Sequence, residues 1–395
     1  MLFNSLQFAF FFIGIVTLYF SIPHRYRWLL LLIGSYFFYM CWNWRYISLI
    51  LLSTVVDYFA GRRMAVLPEK RQRRKYLFLS LLTNLGLLFA FKYYNFFTES
   101  LNTTFLALHL PFHIDYLNVL LPVGISFYTF QTLSYSIDVY RGKIEHEKHF
   151  GIFALYVSFF PQLVAGPIER ASRLLPQFYR KNDFDEARIV SGLRLMLWGL
   201  FKKIVVANRL AIYVDAVYGN ADLHSGLTLL VATYMFAFQI YCDFSGYSDI
   251  AIGAARVMGY DLMKNFNRPY FSKNINEFWS RWHISLSTWF RDYLYIPLGG
   301  NRRGVPRMFV NIFIVFLVSG MWHGANWTFL VWGALHGFYA VMSKLTLKWR
   351  DRFVERLHIP KLLAYAVRIF VTFQLVSLAW IFFRADSISQ AYHIL

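Results

Sequence analysis

The chain has 395 residues, of which 57% are hydrophobic, 21% aromatic and only 15% charged. An average soluble domain carries about 25% charged residues and cannot hide so much apolar surface, so a disordered chain, a coiled coil and a disulfide scaffold are excluded and a membrane protein is expected. A net charge of +19 would suggest nucleic acid in a soluble protein, but no loop interleaves basic and aromatic residues as a nucleic-acid groove does; in a membrane protein Lys and Arg collect in cytoplasmic loops, and no nucleic-acid partner is expected.

Apolar runs of membrane-spanning length, with sides assigned from Lys and Arg, give the layout. Run 6–22 has no basic residue before it and His24-Arg25-Tyr26-Arg27 after it. That is the wrong flank for a cleaved signal, so it reads as a retained first span. Runs 28–42, 46–61 and 76–97 follow. The loop between the last two holds Arg62, Arg63, Lys70, Arg71, Arg73, Arg74 and Lys75 against Glu69 alone, so it is expected inside and the N-terminus outside. Loop 98–116 lacks Lys and Arg and is expected outside. Span 117–138 returns to Arg141, Lys143 and Lys148.

Two segments break the alternation. Run 150–165 is apolar, yet both its ends are basic, and Pro161, Gly166 and Pro167 interrupt it. A re-entrant segment buried in protein is expected there. Spans 190–217 and 227–254 follow. Segment 274–298 again begins and ends inside, and holds Glu277, Arg281, His283, Arg291 and Asp292, too polar for a lipid-facing span. Glu277 and Arg281 are spaced as a helix-stabilising pair, and Trp279, Trp282 and Trp289 suit an interfacial or re-entrant helix. Runs 308–321, 326–343 and 362–384 complete an all-α, polytopic domain over residues 1–395, with about ten spans, two re-entrant or in-plane segments, and basic loop 344–361 inside.

Three polar clusters interrupt apolar spans, where polar groups are expensive and mark function. The stretch from Tyr241 to Asp249 places Asp243 and Asp249 in an apolar span, as a hydrogen-bonded node between helices or as the wall of a substrate path. The stretch from Phe278 to Ser287 joins Arg281, His283 and Ser285, with His283 either a satisfied interior imidazole or a catalytic group. In Met321-Trp322-His323-Gly324-Ala325-Asn326-Trp327, His323 lies at the turn between two spans. The first of these is only about 21 Å at helical rise, against roughly 30 Å of hydrocarbon, which predicts His323 at the bottom of a depression open to the outside.

The remaining histidines carry less. His336 sits on an apolar face and reads as a core residue. Cys41 and Cys242 are too few for a disulfide framework and read as packing residues. No metal-ligand spacing, nucleophile elbow, P-loop or dinucleotide fingerprint appears, and no metal is expected.

These clusters, with Gln131-Thr132-Leu133-Ser134-Tyr135, Phe160 to Ile168, Asp243 to Ser248 and Asn267-Arg268-Pro269-Tyr270, resemble in order the membrane-bound O-acyltransferase family, in its bacterial polysaccharide branch typified by alginate O-acetylation. The resemblance implies a ring of helices around a thin central tunnel. It also implies that His323 matches the family's catalytic histidine and His283 its second polar position. Members of that branch continue through further helices beyond the stretch matching Phe382 to Asp386, and more often carry an aromatic at the position of Cys242.

Taken with that resemblance, His323 is expected to act as general base, since imidazole ordinarily titrates near pH 6.5. His283 and Arg281 would orient a thioester or stabilise an oxyanion. Asp243 would set a histidine tautomer or support Arg281, and Trp322, Ser285 and Asn326 complete the expected substrate- and donor-binding set. No bound cofactor is expected; acetyl-CoA or an acyl-carrier thioester would be the donor substrate, drawn by the basic inner loops. Expected partners are a periplasmic or extracellular esterase-like acyl acceptor, a cytoplasmic acyl carrier and membrane lipids, at a bacterial inner membrane. Transfer of acetyl to peptidoglycan or cellulose, D-alanyl or lipid acyl transfer, a transporter and a non-catalytic scaffold are the alternatives.

Overall fold

A computed structural model describes residues 1–164 and 166–395; Ala165, in the Phe160 to Ile168 motif and in run 150–165, lies outside the described residues. Helices joined by loops account for the described residues, with no strand among them. The chain divides into two compact units, Met1–Leu200 with Tyr247–Met263 and Phe201–Gly246 with Lys264–Leu395. Among the described residues four helices are long and apolar enough to cross a membrane: Lys70–Ala107, Gly226–Val257, Val305–His323 and Lys361–Arg384.

In the first unit the apolar runs become helices Leu6–Ser21, His24–Asn43 and Ile47–Val66. The next helix outruns its expected end at 97 and continues to Ala107. In its polar tail the threonine hydroxyls are satisfied by carbonyls one turn earlier, Thr103 to Glu99 at 2.8 Å and Thr104 to Ser100 at 2.8 Å. The loop that follows is tied to this helix by two asparagines acting as backbone mimics. Asn102 exchanges two hydrogen bonds with Ile114, and Asn95 does the same with Leu117. The expected span 117–138 is accordingly a helix only over Ile125–Arg141.

Run 150–165 is broken as expected, into Phe150–Ser158 and Phe160–Leu163. A helix break leaves backbone groups without partners. Here the Phe160 N–H finds the Ser35 hydroxyl at 3.0 Å, and the Tyr156 carbonyl accepts from Gln131 and from Gln162 at 2.9 Å. Asp57 is fully buried in the same unit. Its carboxylate accepts from the Ser80 and Ser136 hydroxyls and from Asn84 Nδ2 at 2.8 Å, while the Thr132 hydroxyl donates to Asn84 Oδ1 at 3.1 Å. This network joins three helices and offsets the cost of burying a carboxylate.

In the second unit, helices Val305–His323 and Trp327–Leu345 pack backbone to backbone. A Cβ on Gly320 would lie 2.3 Å from the Phe329 carbonyl oxygen, and one on Gly333 would lie 2.4 Å from that of Phe316. Small residues at such crossings let helices approach closely. The first of the pair is longer than run 308–321. It starts at Val305, with proline in its first turn, and has 19 residues, about 28 Å. Span length therefore no longer carries the expected depression at His323. Segment 274–298 forms two helices of 7 residues, Ile275–Arg281 and Ile284–Phe290, and a π-helical turn Arg291–Tyr295. Neither helix is long enough to span, as the charge pattern predicted. Of the cysteines, Cys242 is half-buried, but Cys41 is exposed rather than packed.

Candidate active site

All seven residues singled out by sequence, His323, His283, Arg281, Asp243, Trp322, Ser285 and Asn326, fall in the second unit. His323 is the last residue of its helix and is half-buried. Its ring meets Trp332 edge to face with centroids 5.0 Å apart, and lies 5.4 Å from Phe383. Trp332 is fully buried, stacks on Trp380 at 5.9 Å, and has an indole N–H with no acceptor among the described residues. A Cβ on Gly324 would come within 2.0 Å of the Phe329 ring, so a glycine lets the chain turn immediately after His323. Asn326 was expected on the donor, but both ends of its amide serve this turn. Its Oδ1 accepts from the Thr328 N–H at 3.0 Å, and its Nδ2 donates to the Asp386 carbonyl at 3.1 Å. Trp322 is buried in the last helical turn.

His283 stands at the break between the two short helices, in the left-handed region with φ 45° and ψ 55°. That conformation costs about 1–2 kcal/mol for a residue with a Cβ, and Asn265 holds it in place. The Asn265 carbonyl accepts from the Ile284 N–H at 2.9 Å. The Asn265 Oδ1 accepts from the Ser285 N–H at 3.3 Å and from the Ser285 hydroxyl at 2.9 Å, and lies 3.2 Å from His283 Nδ1. A backbone N–H can only donate, so the amide atom facing it is the oxygen. The neutral His283 ring facing that oxygen therefore carries its proton on Nδ1, leaving a lone pair on Nε2. The ring is buried against Phe244 at 4.7 Å and Phe266 at 6.4 Å. Neutral His283 can thus accept from and orient a hydroxyl through Nε2 but cannot donate to an oxyanion there, which narrows the role expected of it.

His323 and His336 both meet the Trp332 ring, at 5.0 and 4.8 Å, and Trp332 stacks on Trp380, which lies 5.1 Å from Trp282, the residue before His283; one aromatic cluster thus connects the three imidazoles. His336 is fully buried, and its Nδ1 accepts from the Trp279 indole N–H at 3.2 Å, which fits the core reading.

Arg281 forms the expected pair with Glu277, Nη2 to Oε1 at 2.6 Å. Asn274 caps that helix by accepting from the Glu277 N–H at 2.9 Å, and Glu277 reaches back to the Lys273 N–H at 2.8 Å, a reciprocal cap. Arg281 is thereby directed at Glu277. The expected support from Asp243 is not found. Asp243 instead pairs with Lys203 at 2.6 Å, and the neighbouring Lys202 donates to the Ser245 hydroxyl at 3.0 Å. Both lysines lie in the π-helical turn Phe201–Ala207, so residues 243–245 form the inter-helix node that one reading of this cluster foresaw. Asn265, Trp332, Lys202 and Lys203 were missed. The two lysines inside an apolar run were a legible signal; Asn265 and Trp332 gave none beyond lying near quoted motifs. Among the described residues no group of three or more His, Cys, Asp or Glu side chains could hold a metal ion.

Residues 40–382 match the model of the membrane-bound O-acyltransferase family. Over its full length the chain is 40% identical to the probable alginate O-acetylase AlgI of Azotobacter vinelandii, covering 77% of that protein. It is likewise 40% identical to the probable alginate O-acetylase AlgI of Pseudomonas aeruginosa, covering 74%, and 37% identical to the peptidoglycan O-acetyltransferase of Helicobacter pylori, covering 79%.

Proposed function

The chain belongs to the membrane-bound O-acyltransferase family and is an O-acyltransferase, and on that premise we propose that it passes an acetyl group from a cytoplasmic thioester to an extracytoplasmic acceptor in alginate-type polysaccharide O-acetylation. The transporter and scaffold alternatives fall with that membership. The observation that carries the catalytic reading is the aromatic cluster that joins His323 to the His283 loop, with His283 held in one tautomer by Asn265.

In this reading His323 takes the acceptor hydroxyl proton as the oxygen attacks the thioester carbonyl. His283 Nε2 orients that hydroxyl. The tetrahedral intermediate collapses, the carbon–sulfur bond breaks, and the departing thiolate recovers the proton from His323. A base so placed is worth about 10²–10⁴ in rate. Acetyl-CoA or an acyl-carrier thioester is the donor, attracted to the basic loops, and the acceptor is an esterase-like partner outside the membrane. The topology that serves this transfer has ten spans, the N-terminus outside, and a bacterial inner membrane as its location.

The identity to the peptidoglycan enzyme over the whole chain favours peptidoglycan as the second acceptor. Mass spectrometry of both polymers from cells lacking and then regaining this chain tests the two. Acetyl esters restored on the exopolysaccharide support the alginate-type reading. Esters restored on peptidoglycan alone shift the acceptor, and restoration of neither contradicts both.

A further inference from the structure

Apart from the histidines, the second unit holds a cleft of about 650 Å³, the size of a small-molecule site. It lies between helix Trp327–Leu345, helix Lys361–Arg384 and the intervening helix Leu347–Arg356. Its walls are mostly apolar, with Phe338, Met342, Leu363 and Val371 among them. Three cations also line it, Lys273, Arg350 and Arg368. Arg368 is paired with Asp351 at 2.8 Å. The other two have no carboxylate partner among the described residues. Lys273 Nζ sits 5.4 Å from the centroid of the Tyr365 ring. Arg350 donates through Nη2 to the Ser343 carbonyl at 2.8 Å, and its buried Nε–H meets no acceptor among the described residues.

The helix beside the cleft has an interfacial character. Residues 344–361 carry six basic and two acidic side chains, yet Trp349 is 63% and Phe353 48% exposed. Apolar rings on a strongly basic helix suit the plane of a membrane interface.

We propose that this cleft binds one anionic phospholipid, with an acyl chain along the apolar wall and the phosphate at Arg350 and Lys273. Charge complementarity argues for it: two cations without carboxylates stand beside an apolar slot, the combination that holds anionic headgroups between membrane helices. A zwitterionic lipid offers the same chains without the net charge. The proposal does not depend on the acyltransfer reading.

Native mass spectrometry of the full chain tests it, in detergent micelles holding equal dioleoyl-phosphatidylglycerol and dioleoyl-phosphatidylcholine. The wild type is expected to retain the phosphatidylglycerol in severalfold excess. Arg350→Gln removes the headgroup contact and Leu363→Glu places a charge on the apolar wall; each is expected to erase the excess, and either folded variant decides alone if the other does not fold. Equal retention of the two lipids by the wild type overturns the proposal, as does an excess unchanged in the folded variants.

Discussion

His283 Nδ1 lies 3.2 Å from Asn265 Oδ1, an oxygen already fixed as an acceptor by the Ser285 backbone N–H. One loop amide thus determines which nitrogen of a buried imidazole carries its proton. Asn265→Ala removes that determinant while leaving the backbone bond from Ile284. Turnover is expected to fall roughly tenfold to a hundredfold, by analogy with the partners that orient metal-bound histidines, and the pH–rate profile to shift, since both tautomers become available. Asn265→Asp keeps the acceptor and is expected to recover part of the loss. An unchanged profile in Asn265→Ala would make the contact merely structural.

The close helix pair around His323 should tolerate little added volume. Gly320→Ala and Gly333→Ala each drive a methyl group into a backbone carbonyl of the opposing helix, at 2.3 and 2.4 Å. Overpacking of this kind costs about 1–3 kcal/mol. Thermal unfolding in detergent should fall accordingly in each variant, and activity with it, because the same pair positions the His323 turn.

Lys203 and Asp243 form a 2.6 Å pair in which the lysine is only 15% exposed and the aspartate 40%. Asp243→Asn removes the carboxylate from a nearly buried lysine. The expected loss falls between the ~1 kcal/mol of an exposed pair and the ~3–5 kcal/mol of a fully buried one. The double variant Lys203→Met, Asp243→Asn should regain most of it. Melting temperatures of the four members of that cycle check the coupling; simple additivity of the two single changes would argue against the pair.

Outside the spans, Glu169 offers a pH-dependent handle in the first unit. Burial pushes its carboxyl up to about 7, opposed by the Met263 N–H bond and by nearby Arg173. A carboxyl whose folded-state value is raised holds its proton more tightly when folded. Its contribution therefore favours the fold below the ordinary value, weakens as pH rises through the window up to about 7, and is a full penalty above it. Glu169→Gln should flatten stability over that window and raise the melting temperature at pH 8 while leaving it nearly unchanged at pH 4. Equal shifts at both values would exclude titration of this group as the cause.

The helices were legible because long apolar runs have few other options, and segment 274–298 was legible as non-spanning because its charges could not face lipid. What local pattern did not carry was pairing between distant residues. Asn265 meets His283 only because Asn267 N–H and Ile284 N–H tie the two loops together, to the carbonyls of Arg281 and Asn265. Asp243 meets Lys203, forty residues away in sequence, while Arg281 meets Glu277 one turn away. The helix ends moved for local reasons: Asn95 and Asn102 tie the following loop against the helix that runs on to Ala107, and a proline in the first turn set another end at Val305.

The most direct test of the account is the His323→Ala variant of the full chain in membrane vesicles supplied with a labelled acetyl thioester and the acceptor. The account predicts that transfer to the acceptor falls at least a hundredfold, near the lower limit for losing a general base, while the melting temperature and thioester binding stay close to wild type. Transfer within a fewfold of wild type would contradict it.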